Sequence, residues 1–512
     1  MQAKSRKPVL MIGLDAAEIS LIEKWMSEGS LPNMRALKEK GAYGPLASSA
    51  EWLVGSPWPT FYTSTPPTEH GMYHYLIWRP ELMKTERPNA SWLPLRPFWR
   101  NLGGDGKRVI AIDVPLAYAP EAFDGMEVAG WATHETLDPP ASFPPDLLDK
   151  VTARFGSPPF GNEETYVLSA SELLGVRDQC IRTTEHVAEM GLTIMAEQKW
   201  DLFMLCFAAT HRGGHQLWDL TSMIGDAPEE EIAAVEDALR QVYIACDRAI
   251  GRLIEQAGPD TVSFVFSLHG MGPNASRSDL LREMIDRILE RGSNREPSPK
   301  AKSPVRALRE LLPIRLRSHI KNRLPTAVQD RLTLFWRTGG IDWRKTRAFA
   351  AFCDLDGYIK INLKGREAEG IVEPGEEYRD LCDKISSGLM TFADEDSGEP
   401  IVEKIGRVDE IFPEGRMRDH LPDLIIHWSK TPASSHRRIV SPQYGGLDWP
   451  TPGHHPQGRS GNHWPRGFLM AAGDTISPGT AIENATIMDV APTVLSLLGA
   501  QIPPHFRGRV LF

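Results

Sequence analysis

The sequence predicts an α/β fold: a doubly wound, mostly parallel sheet with helices on both faces, joined by a smaller α+β cap subdomain and a basic helical insert. Three observations predict it. Apolar runs of strand type recur as "KPVLMIGLDAA", "KRVIAIDVPLAYAP", "WDLFMLCFAATHRGGH" and "DTVSFVFSLHGMG", and strands buried on both faces read as such continuous runs. Helical patterns stand between them, the most periodic being "EEEIAAVEDALRQVYIACDRAIGRLIEQAG", and that alternation implies parallel strands with crossover helices. Three of the runs break off at a potential metal ligand: Asp15, the pair His211 and His215, and His269. Ligands gather at the carboxyl ends of strands in open α/β sheets, so these tips are expected to converge on one cleft.

The elements follow in order. Residues 1–290 carry the alternating pattern of the core. From 342 to 428 the texture changes to shorter strands and turns, "GYIKINLKGREAEGIV", "EPIVEKIGRVDEIF" and "LPDLIIHW", which predict the cap. Residues 429–512 return to the first texture, with the loop "GHHPQGRSGNH", the strand "GFLMAAGD" and the helix "IMDVAPTVLSLLGA", and are expected to complete the main sheet and the same site. No internal repeat of solenoid period is present. Between core and cap, residues 291–341 open on a Pro/Ser/Lys-rich linker and continue with Leu and Ile at three- and four-residue spacing among arginines. Arg291 to Arg337 hold 12 Lys/Arg against 3 Asp/Glu, so the rest of a chain of net charge −10 carries about −19. A basic amphipathic hairpin over residues 300–337 could make peripheral contact with anionic lipid or cover an anionic substrate. A solvated lid packed on its own domain explains the same residues.

Composition sets bounds. With 512 residues, 41% hydrophobic content and a mean hydropathy of −0.30, the chain can bury a large core. No apolar run approaches the roughly 20 residues of a membrane helix. The first strand begins near Lys7, which leaves no room for a leader ahead of it. Five scattered cysteines without CxxC spacing argue against a disulfide framework and against a thiolate zinc site, and the expected compartment is a reducing cytoplasm. The acidic balance supplies no nucleic-acid-binding motif. Oligomeric state leaves no trace in the sequence.

His211 and His215, four residues apart, would share one side of a helical turn. The glycines between them, Gly213 and Gly214, favour a loop wrapped round an ion over a long helix. His463, just ahead of a strand, would supply a third imidazole, and three neutral imidazoles with an open position suit catalytic zinc. Asp15 and His269 could hold a second ion if a hydroxyl and the substrate completed its shell. In "EWLVGSPWPTFYTSTPPTEHG" Ser56 precedes Pro57 as a helix N-cap precedes Pro at N1, where backbone N–H groups could also stabilise developing charge. Simple capping explains Ser56 equally.

Taken in order, "VLMIGLDAA", "LPNMRALKEKGAYGPL", "SPWPTFYTSTPPTEHG", the His215 and His269 segments, "INLKGREAEGIV", "SGNHWPRG" and "IMDVAPTVLSLLGAQIPPHFRGRVL" resemble the alkaline phosphatase superfamily, in its type I phosphodiesterase and nucleotide pyrophosphatase branch. The resemblance covers nearly the whole chain. It implies an alkaline-phosphatase-like core, a metal-dependent phosphoric ester hydrolase and one or two divalent ions, zinc first. It assigns His215 and His463 to one ion and Asp15 and His269 to the other. Two family aspartates are replaced, one by His211, which keeps a ligand, and one by Leu268, which removes it. The family spacing counted back from His70 places the nucleophile at Val54, so Ser56 requires a segment two residues shorter, with Thr60 as the fallback. No cysteine lies in a C-x-P-x-R setting, which argues against a formylglycine sulfatase.

The expected chemistry is attack by Ser56 on phosphorus in a small phosphate ester or diester, through a phosphoserine, with the three-histidine ion serving the leaving group and later the water. A one-metal variant with direct attack by water is the alternative, on a phosphomonoester or in phosphoryl transfer. A non-catalytic metal-binding member of the family is the rival from a different class. Trp52, Trp58, Tyr62, Tyr73, Tyr75 and Trp78 could bind an organic group or form core. Asn362, Lys364 and Arg366 could reach an anion or simply build a turn.

Overall fold

The computed structural model describes residues 7–133, 136–160, 166–290, 341–351 and 356–512, with 320, 323, 324, 328, 329, 331 and 332 between them. Apart from those isolated positions, the basic insert lies outside the described residues. The core is the expected α/β architecture.

Four strands form the centre of a ten-stranded sheet: Val9–Leu14, flanked by Leu202–Phe207 and Val262–Ser267, with Val109–Ile112 beyond Leu202–Phe207. All four run parallel, in a register that sets Gly13 beside both Cys206 and Phe266. Their continuous apolar character has a direct cause in the pleat. Leu10 and Ile12 enter the cluster on one face, and Val9 and Met11 that on the other, because successive side chains point to opposite sides. Each such fully buried side chain contributes roughly 1.5–3 kcal/mol. Outside this centre the sheet is mixed: Arg466–Ala472 pairs antiparallel with Val262–Ser267 and with Ala42–Ala47. The tail thus returns to the core, as its texture implied.

On the first face lie two long helices, Ala170–Glu197 and Ala238–Ala257. A capping box starts the former: Ser169 accepts from the Glu172 amide while Glu172 accepts from the Ser169 amide, an arrangement that contributes about 1 kcal/mol. The second face takes the helices Pro57–Thr63 and Val490–Leu498.

A separate four-stranded antiparallel sheet, Ala348–Ala350, Gly357–Ile361, Leu424–Trp428 and Val402–Arg407, forms the centre of the cap. Its apolar cluster includes Ile359, Ile426 and Ile385, together with Leu281 and Ile285 of the helix Ser278–Glu290 and with Ile439 and Leu447 of a small three-stranded sheet. The turn "NLKGRE" is fully engaged in holding this cap together. Asn362 Nδ2 donates to the carbonyls of Trp343, Thr346 and Glu369, Arg366 clasps Asp423 and Glu367, and Lys364 pairs with Glu373.

Candidate metal centre and catalytic cleft

The parallel register delivers three strand ends to one place. Asp15 follows the first strand, and its amide donates to Phe207 O at 3.0 Å. Thr210 Oγ1 donates to Asp15 O at 2.6 Å, which fixes the helix Ala209–Gln216 to the Asp15 turn. Ser267 Oγ accepts from Ala17 N at 3.0 Å and donates to His269 O at 2.7 Å, so the His269 turn is tied to the same corner. His463 arrives from the tail on the strand Gly461–Trp464, where it lies opposite Met271 of Gly270–Pro273.

His211, His215 and His463 meet there, with one ligand nitrogen from each within 4.8 Å of the others and all three residues buried. His211 Nε2 and His463 Nε2 are 3.1 Å apart. His215 Nδ1 donates to Gly461 O at 3.0 Å, which turns its Nε2 lone pair inward, the way a backbone carbonyl orients a metal-binding imidazole. A three-imidazole donor set of this size suits zinc. His211 and His215 stand on a short regular helix rather than a wrapped loop, and the glycines between them serve close approach instead. A Cβ on Gly214 would stand 2.7 Å from Met271 Cγ, and one on Gly461 would stand 2.0 Å from Gly214 O. Only glycines let the His463 strand pack directly on the helix.

The other half of the cleft has a different make-up. Asp15 and His269 both line it, and the His269 and His463 ring centroids are 4.8 Å apart. Asp15 Oδ1 accepts from Trp58 Nε1 at 2.8 Å. Burial nevertheless pushes the Asp15 pKa up to about 7, against the lowering effect of that hydrogen bond. Leu268 is fully buried in the apolar cluster of Trp58, Phe61 and Phe266.

Ser56 caps the helix Pro57–Thr63 by position but not by its side chain. Its hydroxyl donates to Leu53 O at 2.6 Å and lies 2.7 Å from Ser49 Oγ. Thr60 Oγ1 lies 3.0 Å from His70 Nε2 and 3.2 Å from Ser49 Oγ. Since His70 Nδ1 accepts from Met72 N, its Nε2 carries the hydrogen and donates to Thr60. Burial pushes the His70 pKa down to about 3, so the ring stays neutral. Cleft contact from this segment comes from Val54, Gly55, Pro57 and Trp58.

The opposite wall is Pro115 and Leu116, in the turn after Val109–Ile112. Asp113 and Leu116 have φ of 53° and 55°, and Asp113 is held there by the Trp131 and Ala132 amides at 2.7 and 2.9 Å. A left-handed leucine costs on the order of 1–3 kcal/mol, and such strain collects at functional walls. Of the aromatic residues singled out in the sequence, Tyr62, Tyr73 and Trp78 are core, Trp58 is buried in the same cluster and also lines the cleft, and Trp52 packs edge-on to His427 at 4.5 Å. Tyr75 lines the cleft beside His74, a residue that belongs to none of the motifs read from the sequence.

The family model described as type I phosphodiesterase / nucleotide pyrophosphatase matches residues 9–431. Among solved structures, phosphonoacetate hydrolase from Sinorhizobium meliloti 1021 in complex with phosphonoformate is similar at 14% identity, covering 97% of this chain and 96% of its own, with a TM-score of 0.48. Human ectonucleotide pyrophosphatase / phosphodiesterase 5 is similar at 10% identity, covering 98% and 97%, with a TM-score of 0.48. The murine protein of the same name matches at 12% identity, covering 98% and 97%, with a TM-score of 0.47. Among curated proteins, none matches the chain.

Proposed function

Because the chain belongs to the type I phosphodiesterase / nucleotide pyrophosphatase family, a family of phosphoric ester hydrolases, we propose that it hydrolyses a small phosphate ester or diester by direct in-line attack of water at a single-cation site. The observation that carries this reading is the contrast between a complete imidazole triad and a Ser56 hydroxyl engaged by Leu53 O and Ser49. His211, His215 and His463 would hold the ion, zinc first. Held by these three imidazoles, a divalent cation would supply Lewis-acid chemistry to the phosphoryl group and would make a water more acidic, towards a pKa of about 7.

The chain's own groups supply the rest. His215 is kept in the ligating tautomer by Gly461 O. Asp15, with its pKa raised to about 7 by burial, can take the proton of the attacking water at Oδ2, since Oδ1 holds the Trp58 indole. Pro57, Trp58, Pro115 and Leu116 give the organic part of the ester an apolar wall. Chemistry belongs to the core, 1–290 and 429–512, and the cap, 342–428, supports the Val54 side of the cleft through Tyr358, whose Oη accepts from Val54 N at 3.1 Å. Cys180, Cys206, Cys246 and Cys382 are buried free thiols, which favours a reducing compartment, the cytoplasm. Among the described residues no helix is long and apolar enough to cross a membrane.

A second reading, two ions with Ser56 as nucleophile, draws on Asp15 and His269 sharing the cleft with the triad. It requires Ser56 to give up its hydrogen bond to Leu53 O and swing round. Turnover of bis(4-nitrophenyl) phosphate by Ser56→Ala separates the two. Direct attack predicts a rate within about threefold of wild type and no phosphoenzyme on acid quench, whereas loss of turnover together with a trapped phosphoserine in the wild type would install the second reading.

A further inference from the structure

Two apolar walls of the cleft face one another, Pro57 and Trp58 on one side and Pro115 and Leu116 on the other. With about 40 Å³ of free space, the cleft falls far below the roughly 300–1,000 Å³ of an open small-molecule pocket. The organic part of a substrate is therefore gripped between the walls, and their separation decides what enters.

The second wall is a turn held at three points. At its start Asp113 N donates to Val128 O at 2.8 Å, and the Asp113 carboxyl oxygens accept from the Trp131 and Ala132 amides. At its end Arg100 Nη2 donates to Tyr118 O at 2.6 Å, and Tyr118 Oη donates to Leu93 O at 3.0 Å. Between them Leu116 carries a φ of 55°, a conformation that a leucine keeps only when its surroundings impose it. Its carbonyl accepts from Tyr62 Oη at 2.9 Å.

Tyr62 comes from the first wall. It stands on the helix Pro57–Thr63, four residues after Trp58 and hence on the same side. Its ring is fully buried and edge-on to Trp99, with centroids 5.8 Å apart. One phenol thus ties the helix that forms one wall to the strained residue that forms the other. Pro57 and Pro115 are rigid in φ and the Trp58 indole is held by Asp15, which leaves Leu116 as the adjustable part of the slot.

We propose that Tyr62 is a positioning residue: by holding Leu116 in its left-handed conformation it fixes the separation of the two walls, and so makes the cleft select esters with a flat, ring-bearing organic group over esters with a branched one. This rests on the phosphoric ester reading of the cleft.

Tyr62→Phe removes the hydroxyl and keeps the ring, while Leu116→Ala removes the wall side chain and keeps the carbonyl. Zinc-loaded wild type, both variants and the double variant would be titrated by calorimetry with phenylphosphonate and tert-butylphosphonate, which share a charged head and differ in the shape of one organic group. Alongside these, kcat and KM for bis(4-nitrophenyl) phosphate and the melting temperature would be measured. The wild type is expected to bind phenylphosphonate at least about tenfold more tightly than its branched counterpart. Tyr62→Phe should cut that preference to about threefold or less and raise KM by about three- to tenfold, with kcat within about twofold of wild type. In the Leu116→Ala background it should change the preference no further. A lost buried hydrogen bond alone would lower the melting temperature and leave preference and KM in place. An undiminished preference in Tyr62→Phe would overturn the proposal, as would a wild type that binds the two phosphonates equally or binds neither. So would a Tyr62→Phe effect that persists in full without the Leu116 side chain. Ester turnover accompanied by any of these removes Tyr62 and leaves the hydrolase. The expected pattern of binding in a protein that turns over no ester keeps Tyr62 and removes the hydrolase.

Discussion

The two halves of the cleft are built from different materials. On one side His211, His215 and His463 crowd their nitrogens together, with Gly461 O turning one ring inward. On the other, Asp15 and His269 stand beside Leu268, which is buried among aromatics. The first half is an arrangement of lone pairs with no purpose in a packed core, because buried imidazoles facing one another gain little unless a cation lies between them. Packing accounts for much of the second half. Trp58, Leu268 and Phe266 close it as they would close any interior. A site can therefore keep one complete half and let hydrophobic packing take over the other, provided the remaining carboxylate acquires a different task.

The largest test of that comparison is His215→Ala. One cation per chain is expected by elemental analysis of the wild type and none in the variant, with ester turnover down by at least about 10³-fold, since loss of a ligand removes both ion and chemistry. Retained metal and near-normal turnover would erase the distinction between the halves.

Asp15→Asn comes next, and it should move activity and stability in opposite directions. Turnover is expected to fall by about 10²–10⁴-fold, the usual contribution of a general base, and the acid limb of the pH–rate profile should disappear. For metal-free protein the sign runs the other way. The folded-state pKa of about 7 lies above the unfolded carboxyl value of 3.8, so the folded state binds the proton more tightly and loses relative stability as pH climbs from about 4 to 7. Removing the ionisation should therefore stabilise the apo-protein more at pH 8 than at pH 5, by about 3 kcal/mol from a gap of some two pH units. Equal melting shifts at the two pH values would refute the assignment.

The smallest effect on chemistry belongs to Leu268→Ala. As a core residue it should cost about 2–5 kcal/mol of stability, read as a lower denaturation midpoint, while leaving cation stoichiometry at one per chain. A drop in bound metal would show that this position still shapes the ligand set.

Much of this was legible in the sequence, and the part that was not has a common cause. Strand tips could be read because the alternation of buried faces leaves a continuous apolar run, and a ligand at the end of each run has only one end of the sheet to occupy. The His211–His215 spacing was legible for the same geometric reason. Ser56 shows the limit: its Pro57 neighbour announces a helix start, but the direction of its hydroxyl depends on Leu53 O and on Ser49 Oγ, which only the folded loop positions. Among the aromatics, Tyr73 and Tyr75 are two residues apart with similar side chains, yet one is core and the other lines the cleft. No pattern in that turn-rich segment distinguishes them.

Tyr358 ties its hydroxyl to both Val54 N and Trp52 O, and a consequence follows for how the protein comes into being. The loop that walls the cleft leaves the ribosome some 300 residues before the side chain that braces it, and His463 is later still. No N-terminal fragment, however well its parallel strands pair, can present a finished cleft. An exchange of cap modules with a relative would need to carry a phenol at this spot, or the transplanted enzyme would inherit a slack wall along with its new cap.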